Sequence, residues 1–587
     1  MSKTPKNIEL TQHPFRYYFK KYRRLTVTAL VSVILTNILD SLIPLYIGKA
    51  IDLIAERAEL ESVALQVLFI FLLAMGLAGF RFFWRILWGS FHNKVAHDLR
   101  QSIFNKLTFL GPNFYKTRPV GELMSLIIND VQAFRMGIGP GTLIMFDGLF
   151  YLVIIPPLMY SISPSWTWKT MCLMPFIPFA MAKLMKVIQD RFRVQQDRFA
   201  DVSAISQEMA NGIRVIKSYA QEKKQTRLFN RLSRRYEISC NETAHADALF
   251  HPIMGFGVTV GAVILVFIGA PEVISGEVTI GGFFAFYQYI QKMIWPVTAL
   301  GTGASMRSQA EASFKRMKEI LDAPIDRPDS GDFEVIDFNN LSVKNLSFKY
   351  PDEDRWILKD VSFELKSGQT LGIVGKTGAG KTTLVDLLTR TYPVPSGHIL
   401  FNGKSIEQLK LRNLRDNITL VPQESFLFSA NVRDNIQLDR IYSTEEIDVA
   451  THFVAVHDEI LKMPEGYASQ LGERGINLSG GQKQRLSMAR ALIRRSPVVI
   501  FDDSLSAVDA NTEKQIISEL KRNIQDPDGL LKTTIIVSHR LSAVQWADQI
   551  IVLNKGEVEA TGTHAELLEK SATYQNLYLL QSEGGEA

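Results

Sequence analysis

Long apolar runs fill the first half of the chain and limit what it can fold into. A helix that crosses a lipid bilayer needs about 20 mostly apolar residues. Six stretches meet this requirement, at residues 25–48, 63–85, 141–162, 168–186, 250–270 and 276–300. We therefore expect an all-α transmembrane domain of six helices over residues 1–321.

Basic residues predict how this domain is oriented. The segment before the first apolar run is rich in them: Arg16, Lys20, Lys21, Arg23 and Arg24. Loops that stay in the cytoplasm carry an excess of Lys and Arg, so we expect a cytoplasmic N-terminus. The charged segments 86–140 and 187–249 have helical patterns with few breaks, and they predict long cytoplasmic extensions of the spans.

The composition changes after a segment rich in Pro, Asp and Gly, which predicts a linker at residues 322–335. Beyond it, over residues 336–587, short apolar runs alternate with helical patterns. This alternation favours an α/β domain with a mixed or parallel sheet. A chain of 587 residues is too long for one core, and two domains of different kinds account for its length.

Charge and cysteine content exclude several classes of protein. The net charge of +5 fits a membrane surface or a solvated face better than a nucleic-acid binder. Two cysteines are too few for a disulfide framework or a four-cysteine metal site.

A glycine-rich segment of the second half, GKTGAGKTT, fits the phosphate-binding pattern G-x-x-x-x-G-K-[ST]. It follows the predicted strand QTLGIVG and precedes a helical pattern, which is the context that such a loop needs. Glycines let backbone N–H groups surround phosphate oxygens, the lysine supplies a positive charge, and the threonine hydroxyl can ligate Mg²⁺. The predicted ATP-binding residues are Gly375, Lys376, Thr377, Gly378, Ala379, Gly380, Lys381, Thr382 and Thr383.

The apolar run VVIFD predicts a buried strand that ends in a carboxylate at Asp502. At that position Asp502 can hold Mg²⁺ directly or through water. An ordinary helix cap after a strand is the simpler interpretation, but it leaves unexplained why this run and the glycine-rich loop occur together.

A second anion-binding turn is predicted by LSGGQKQR, where small residues open a helix. The motif consists of Leu478, Ser479, Gly480, Gly481 and Gln482. Since the first loop already surrounds the phosphates, a second turn suggests that each nucleotide is held between two copies of the domain.

Together these motifs resemble the nucleotide-binding domain of an ABC transporter, and the preceding spans resemble an exporter half-transporter of the multidrug or lipid type. The resemblance implies that two chains pair and that LSGGQ faces the partner's ATP. It also implies that Tyr350 stacks on adenine, that Gln423 contacts Mg²⁺, and that His539 contacts the γ-phosphate. The metal ligands are then Thr382, Gln423 and Asp502, and the catalytic residues are Asp503, His539 and Gln423.

Asp503 stands where members of that family usually carry a glutamate that acts on the attacking water. Its carboxylate lies one C–C bond closer to the backbone, about 1.5 Å. We therefore favour a heterodimer in which this chain's own site binds ATP but hydrolyses it slowly. A homodimer with a working Asp503 is the alternative, and the intact His539 favours it.

Other functions remain open at this point. A soluble ATPase of the same family would lack the six spans, an importer subunit usually has its spans on a separate chain, and an ATP-gated channel or regulator would transport little.

Drugs, lipids and peptides are all compatible substrates. Among charges in or near the spans, Asp40 and Asp147 are better candidates for substrate contact than Arg81 and Arg85. The half-transporter layout without a recognisable targeting segment predicts a bacterial inner membrane.

Overall fold

The computed structural model describes residues 10–171, 176–325, 331–351, 353–395, 397–438, 440–472, 475–526 and 529–583. Two compact units divide the chain. The first comprises Met1–Thr108 and Arg118–Ala323, and the second comprises Phe109–Thr117 and Pro324–Ala587. The short segment Phe109–Thr117 thus belongs with the C-terminal unit, although it lies inside the N-terminal half of the sequence.

The described part of the first unit is helical. Its helices are α1 (Pro14–Lys21), α2 (Arg23–Ala55), α3 (Leu60–Phe109), α5 (Val120–Ser125), α6 (Val131–Met136), α7 (Thr142–Ile162), α8 (Pro164–Met171), α9 (Phe176–Asn211), α10 (Ile213–Ser218), α11 (Glu222–Ala248), α12 (Phe250–Ile274), α13 (Ile280–Lys292) and α14 (Ile294–Asp322). Helix α4 (Pro112–Thr117) lies in the second unit. Single π-helical turns at Leu126–Asp130 and Gly137–Gly141 join α5, α6 and α7.

Among the described residues, three helical stretches are long and apolar enough to cross a membrane: Arg23–Ala55, Leu60–Phe109 and Val120–Ile162. They contain the first three predicted spans. A shorter apolar helical stretch, Thr259–Ile274, overlaps the fifth. The fourth predicted span includes residues 172–175, which lie outside the described residues. The count of six spans therefore stays a prediction.

The last predicted span, residues 276–300, contains a turn and parts of two helices in the structure. Its first residues form a turn with Gly276 at φ 82°, and α13 begins only at Ile280, where the Thr279 side chain accepts a hydrogen bond from the Gly282 N–H. Met293 then separates α13 from α14. Turn and cap residues therefore divide this apolar run, and its role as the last span stays a prediction.

The described part of the second unit contains two β-sheets. A six-stranded sheet has the order β10-β9-β3-β8-β7-β6 and is parallel except for the edge strand β10. A four-stranded antiparallel sheet has the order β2-β1-β4-β5. The strands are β1 (Asn340–Phe348), β2 (Leu358–Lys366), β3 (Thr370–Val374), β4 (Ile399–Phe401), β5 (Lys404–Ser405), β6 (Ile418–Val421), β7 (Val498–Asp502), β8 (Thr533–Val537), β9 (Gln549–Asn554) and β10 (Glu557–Gly562).

Helices cover the six-stranded sheet, whose central strands β3, β7 and β8 are buried throughout. Alternate residues of β7 enter two different apolar clusters, with Val499 and Phe501 in one and Val498 and Ile500 in the other. This period of two fixes the register of the sheet. The helices are α15 (Lys381–Leu388), α16 (Leu411–Asn417), α17 (Val432–Gln437), α18 (Thr444–Phe453), α19 (His457–Leu461), α20 (Gly480–Leu492), α21 (Ala510–Gln525), α22 (His564–Lys570) and α23 (Ala572–Glu583).

Candidate functional site: a nucleotide-binding centre

The glycine-rich loop lies between the end of β3 and the start of α15 at Lys381. A Cβ atom on Gly375 would overlap the carbonyl oxygen of Leu553 on β9. Gly380 caps α15 with φ 100°, and a Cβ there would lie 2.8 Å from Leu358 Cδ2. The loop can therefore keep this path only with glycine at both positions, which leaves its backbone N–H groups free of side chains and suited to phosphate oxygens.

Lys381 folds back over this loop. Its Nζ donates hydrogen bonds to the carbonyl oxygens of Gly375, at 2.7 Å, and of Lys376, at 3.2 Å. Burial lowers the pKa of Lys381, while the nearby carboxylates Asp503 and Asp502 oppose that shift. The ammonium is thus held at the centre of the loop, where a nucleotide's outer phosphates would meet it.

Asp502 ends the buried strand β7 and is 4% exposed. Burial raises the pKa of Asp502, and a hydrogen bond from the Thr382 side chain opposes the rise. A hydroxyl and a carboxylate are oxygen ligands that suit Mg²⁺. Among the described residues, no group of three or more His, Cys, Asp or Glu side chains could hold a metal. The two side chains therefore fit a Mg²⁺ ion that takes its remaining ligands from phosphate and water.

Asp386, on α15, is a further acidic residue of this site that the sequence did not single out. Burial, with a contribution from the charge of Asp502, raises the pKa of Asp386 to about 6, and Lys116 opposes the rise. Its proximity to Asp502 follows from the packing of α15 against β7, which motif spacing does not reveal.

We expect the Asp386→Asn variant to flatten the pH dependence of unfolding. The pKa of Asp386 rises from 3.8 to about 6 on folding, so its ionisation destabilises the fold progressively as pH increases from about 4 to 6. The variant should be more stable at pH 7 by about 1–3 kcal/mol. Calorimetry of the full chain between pH 4.5 and about 7.5 measures this, with Asp354→Asn at an exposed loop as the control. Parallel curves for wild type and Asp386→Asn would contradict the expectation.

Asp503 follows Asp502 in a left-handed backbone conformation, with φ 45°. Aspartate is among the few residues that adopt this conformation readily. The Asp503 carboxylate accepts hydrogen bonds from His539 Nδ1, at 2.8 and 3.0 Å from its two oxygens, and a longer one from Gln423 Nε2, at 3.4 Å. Since a carboxylate only accepts, Nδ1 carries the proton in this contact. The structure thus brings together the three residues predicted to be catalytic.

Tyr350 lies on a small aromatic cluster next to the glycine-rich loop. Its hydroxyl is 3.0 Å from the Thr383 hydroxyl, and its ring centroid is 5.1 Å from that of Tyr392. Lys116, on α4, places its Nζ 3.7 Å from the centre of the Tyr350 ring. This cation–π contact covers one ring face, so a stacked adenine would use the other face or displace the lysine. Lys116 and Tyr392 were not predicted, because only the fold brings them to Tyr350.

The LSGGQ motif forms the start of α20. Ser479 and Gln482 make a reciprocal capping box, in which the Gln482 N–H donates to Ser479 Oγ and the Ser479 N–H donates to Gln482 Oε1. Gln482 Nε2 also donates to Glu459 at 2.8 Å, and Arg485 forms an ion pair with the same carboxylate. Gly480, with nothing within 4 Å of a Cβ, leaves an open surface at the helix N-terminus. The turn is held rigidly and can receive an anion from outside.

Comparisons with known proteins agree with this arrangement. The family description "ABC transporter transmembrane region" matches residues 26–297, and "ABC transporter" matches residues 358–506. The chain is 33% identical over 566 residues to the probable multidrug resistance ABC transporter ATP-binding/permease protein YheI of Bacillus subtilis, covering 96% of each chain. The chain belongs to the ABC transporter family, as a half-transporter of the exporter type.

A further relative and a solved structure extend the match. The multidrug resistance-like ATP-binding protein MdlA of Escherichia coli is 32% identical over 570 residues, with 96% of this chain and 95% of MdlA covered. A solved bacterial Atm1-family ABC exporter with ATP bound has the same fold, with a TM-score of 0.78 and 24% identity over 95% of this chain and 99% of that one. This ABC transporter is therefore an integral membrane protein whose C-terminal domain binds ATP, and ABC exporters work as dimers that couple ATP hydrolysis to transport.

Proposed function

We propose that this ABC transporter exports an amphipathic or hydrophobic substrate, such as a drug, lipid or peptide, by ATP-driven alternating access. Relatives named as a probable multidrug resistance ABC transporter and a multidrug resistance-like ATP-binding protein support drug-like substrates. Closure of two ATP-binding domains around ATP would turn the substrate path outward, and hydrolysis would reset it. Such a cycle requires ATP to bind the closed state more tightly than the open one.

Nucleotide binding rests on the loop, Lys381, Thr382 and Asp502. The loop's N–H groups and the Lys381 ammonium would balance the negative charge of the phosphates. In the structure this ammonium donates hydrogen bonds to two backbone carbonyl oxygens of the loop. Thr382 and Asp502, together with Gln423, would hold Mg²⁺, which when bound neutralises charge on the phosphates. None of these side chains departs from the family pattern, so we expect ATP binding to be intact.

The catalytic step is where this chain departs from the family. Asp503 would accept a proton from the attacking water or orient it, while His539 would hold the carboxylate in position. A catalytic group displaced by about 1 Å can cost about 100-fold in rate, or roughly 2.7 kcal/mol of barrier. We infer that hydrolysis at this chain's own loop is slow.

The dimer that best accommodates a slow site is a heterodimer. LSGGQ of this chain would then complete the competent site of a different half-transporter, while this chain's own loop would join the partner's motif at the weak site. The intact capping box at Ser479 supports a working LSGGQ.

We expect the Asp503→Glu variant of this chain, purified alone, to hydrolyse ATP about 10–100-fold faster than wild type, since it restores the reach of the carboxylate. Steady-state phosphate release at saturating Mg-ATP measures the change. The Asp503→Asn variant, which removes the acid at the same length, is the control and should hydrolyse ATP no faster than wild type. Equal turnover of wild type and Asp503→Glu would count against a slow site.

A homodimer is the second candidate, because His539 is present and bonded to Asp503. Native mass spectrometry of the complex, purified from its own membrane through a tag on this chain, separates the two. One copy of this chain with a different ABC half-transporter supports the heterodimer. Two identical copies would mean that both sites carry the shorter acid.

We also propose a bacterial inner membrane as the location, with the N-terminus and the ATP-binding domain in the cytoplasm. The basic residues around α1 and the start of α2 support this orientation. Protease accessibility of a tag placed at the N-terminus, in sealed inside-out vesicles, tests it.

A further inference from the structure

Four helices of the membrane unit bring polar side chains together within their apolar stretches. Helix α2 contributes Asn37 and Asp40, α7 contributes Asp147 and Tyr151, and the α13–α14 junction contributes Lys292 and Trp295. The two residues of α2 are three positions apart and those of α7 are four apart, so each of these pairs lies on one face of its helix. Charged residues at such positions are costly in a membrane and are functional candidates.

Asp40 is neutralised within this network. Its carboxylate forms an ion pair with Lys292, whose Nζ also donates to the Asp40 carbonyl oxygen at 3.1 Å. The Tyr151 hydroxyl donates a further hydrogen bond to the carboxylate at 2.9 Å. Asp40 and Lys292 together therefore carry no net charge. The contact that they make between α2 and α13 is sufficient to explain why two charged residues lie in this apolar region.

Asp147 has only neutral partners. Asn37 Nδ2 donates to one carboxylate oxygen at 2.7 Å, and Trp295 Nε1 donates to the other at 3.1 Å. Within the described chain, no Lys, Arg or His nitrogen lies within 4 Å of the Asp147 carboxylate. Arg81, on α3, interacts electrostatically with Tyr151 but forms no ion pair among the described residues. Among the described residues, the Asp147 carboxylate therefore has no directly bonded counter-ion, and Arg81 acts on this network only at longer range.

The surroundings of Asp147 hold it in place and leave one side open. Its neighbour Gly148 is packed against α14, where an added Cβ would lie 2.9 Å from Ala299 Cβ and 3.0 Å from the Pro296 carbonyl oxygen. Trp295 is 48% exposed, and its indole ring borders the carboxylate that its N–H contacts. A carboxylate beside an open aromatic ring suits a cation with an apolar body, because the ring face also attracts positive charge.

We propose that Asp147 and Trp295 form a recognition site for organic monocations, and that Asp147 determines specificity for the charge of the transported molecule. This inference rests on the proposed export function and names a substrate class for it. Neutral amphiphiles of similar shape bind more weakly, because they leave the Asp147 charge uncompensated in an apolar region.

Two nearly isosteric probes test the proposal: methyltriphenylphosphonium, a permanent cation, and triphenylphosphine oxide, which is neutral. Equilibrium binding of each tritiated probe is measured on the purified complex in nanodiscs, and ATP-driven uptake is measured in proteoliposomes. The variants are Asp147→Asn, which removes the charge, and Asp147→Glu, which keeps it. Glu277→Gln, at an exposed residue between α12 and α13, controls for non-specific attraction of cations to surface charge.

We expect Asp147→Asn to weaken methyltriphenylphosphonium binding about tenfold and triphenylphosphine oxide binding less than about twofold, whereas Asp147→Glu and Glu277→Gln keep cation binding within about threefold of wild type. An equal loss of both probes in Asp147→Asn would show a structural role and overturn the proposal. Wild-type protein that binds the neutral probe as tightly as the cation, or binds neither, would also overturn it.

Labelling of the wild-type complex keeps the test informative if Asp147→Asn fails to fold. Dicyclohexylcarbodiimide modifies carboxyl groups in apolar surroundings, and peptide mass spectrometry locates the label. Protection of Asp147 by methyltriphenylphosphonium but not by triphenylphosphine oxide supports the site, whereas equal labelling with and without the cation overturns it. Asp147-dependent binding without ATP-driven uptake of either probe would contradict the export function alone.

Discussion

The Lys381→Ala variant should lose ATP turnover and transport almost completely, by at least about 100-fold in rate. Lys381 supplies the one ammonium hydrogen-bonded inside the described glycine-rich loop, and its replacement leaves phosphate charge without that partner at the start of α15. Phosphate release and substrate uptake by the purified complex measure the two losses. A loss of about 100-fold corresponds to roughly 2.7 kcal/mol of transition-state stabilisation.

The control for this variant is Lys532→Ala, which removes the same charge from an exposed position just before β8. It should leave both rates within about twofold of wild type, since an isolated surface charge contributes little. In a heterodimer, Lys381→Ala disables only this chain's loop. The expected loss of transport then requires that nucleotide binding at this weak site is needed to close the two ATP-binding domains, even though hydrolysis there is slow. Substrate flux that persisted in Lys381→Ala would exclude ATP-driven export through this site.

The α/β part of the fold was predictable because its signals are local. Buried strands such as β3 and β7 are continuous apolar runs, and the loop after β3 has glycines that its backbone path requires. Strand β10 carries no such signal, because its residues, EVEATG, are polar or small and lie at the sheet edge. Pairing with β9 decides that segment, and pairing depends on residues that its own composition does not reveal.

In the membrane unit, hydropathy located the long apolar helices but not their ends. The α13–α14 junction shows why, because a Thr cap and a break at Met293 fall within one apolar run. The network around Asp40 and Asp147 was equally beyond the sequence. Both aspartates are candidates by sequence, yet only the packing of α2, α7, α13 and α14 distinguishes the ion-paired carboxylate from the one with neutral partners.

A pair of glycines sets how closely two helices of the membrane unit approach. A Cβ on Gly281 of α13 would overlap the carbonyl oxygen of Gly48 on α2, and a Cβ on Gly48 would lie 2.5 Å from the Gly281 carbonyl oxygen. The Gly281 N–H donates to Asp52 Oδ1 at 2.6 Å, so α2 also satisfies a free donor in the first turn of α13. Small residues allow such contact between membrane helices, where packing replaces the hydrophobic effect as the driving force.

We expect Gly281→Ala to force α13 away from α2 and to destabilise the membrane unit by about 1–3 kcal/mol or more, lowering its apparent melting temperature by roughly 5–10 °C. Fluorescence-detected size-exclusion after heating, in one detergent, measures the shift. Gly79→Ala on α3, where nothing lies within 4 Å of the added Cβ, is the matched control and should melt like wild type. The same two helices carry Asp40 and Lys292, so a wider spacing should also weaken that ion pair. An unchanged melting temperature in Gly281→Ala would mean that the helices tolerate separation and that the glycine contact does not fix the network.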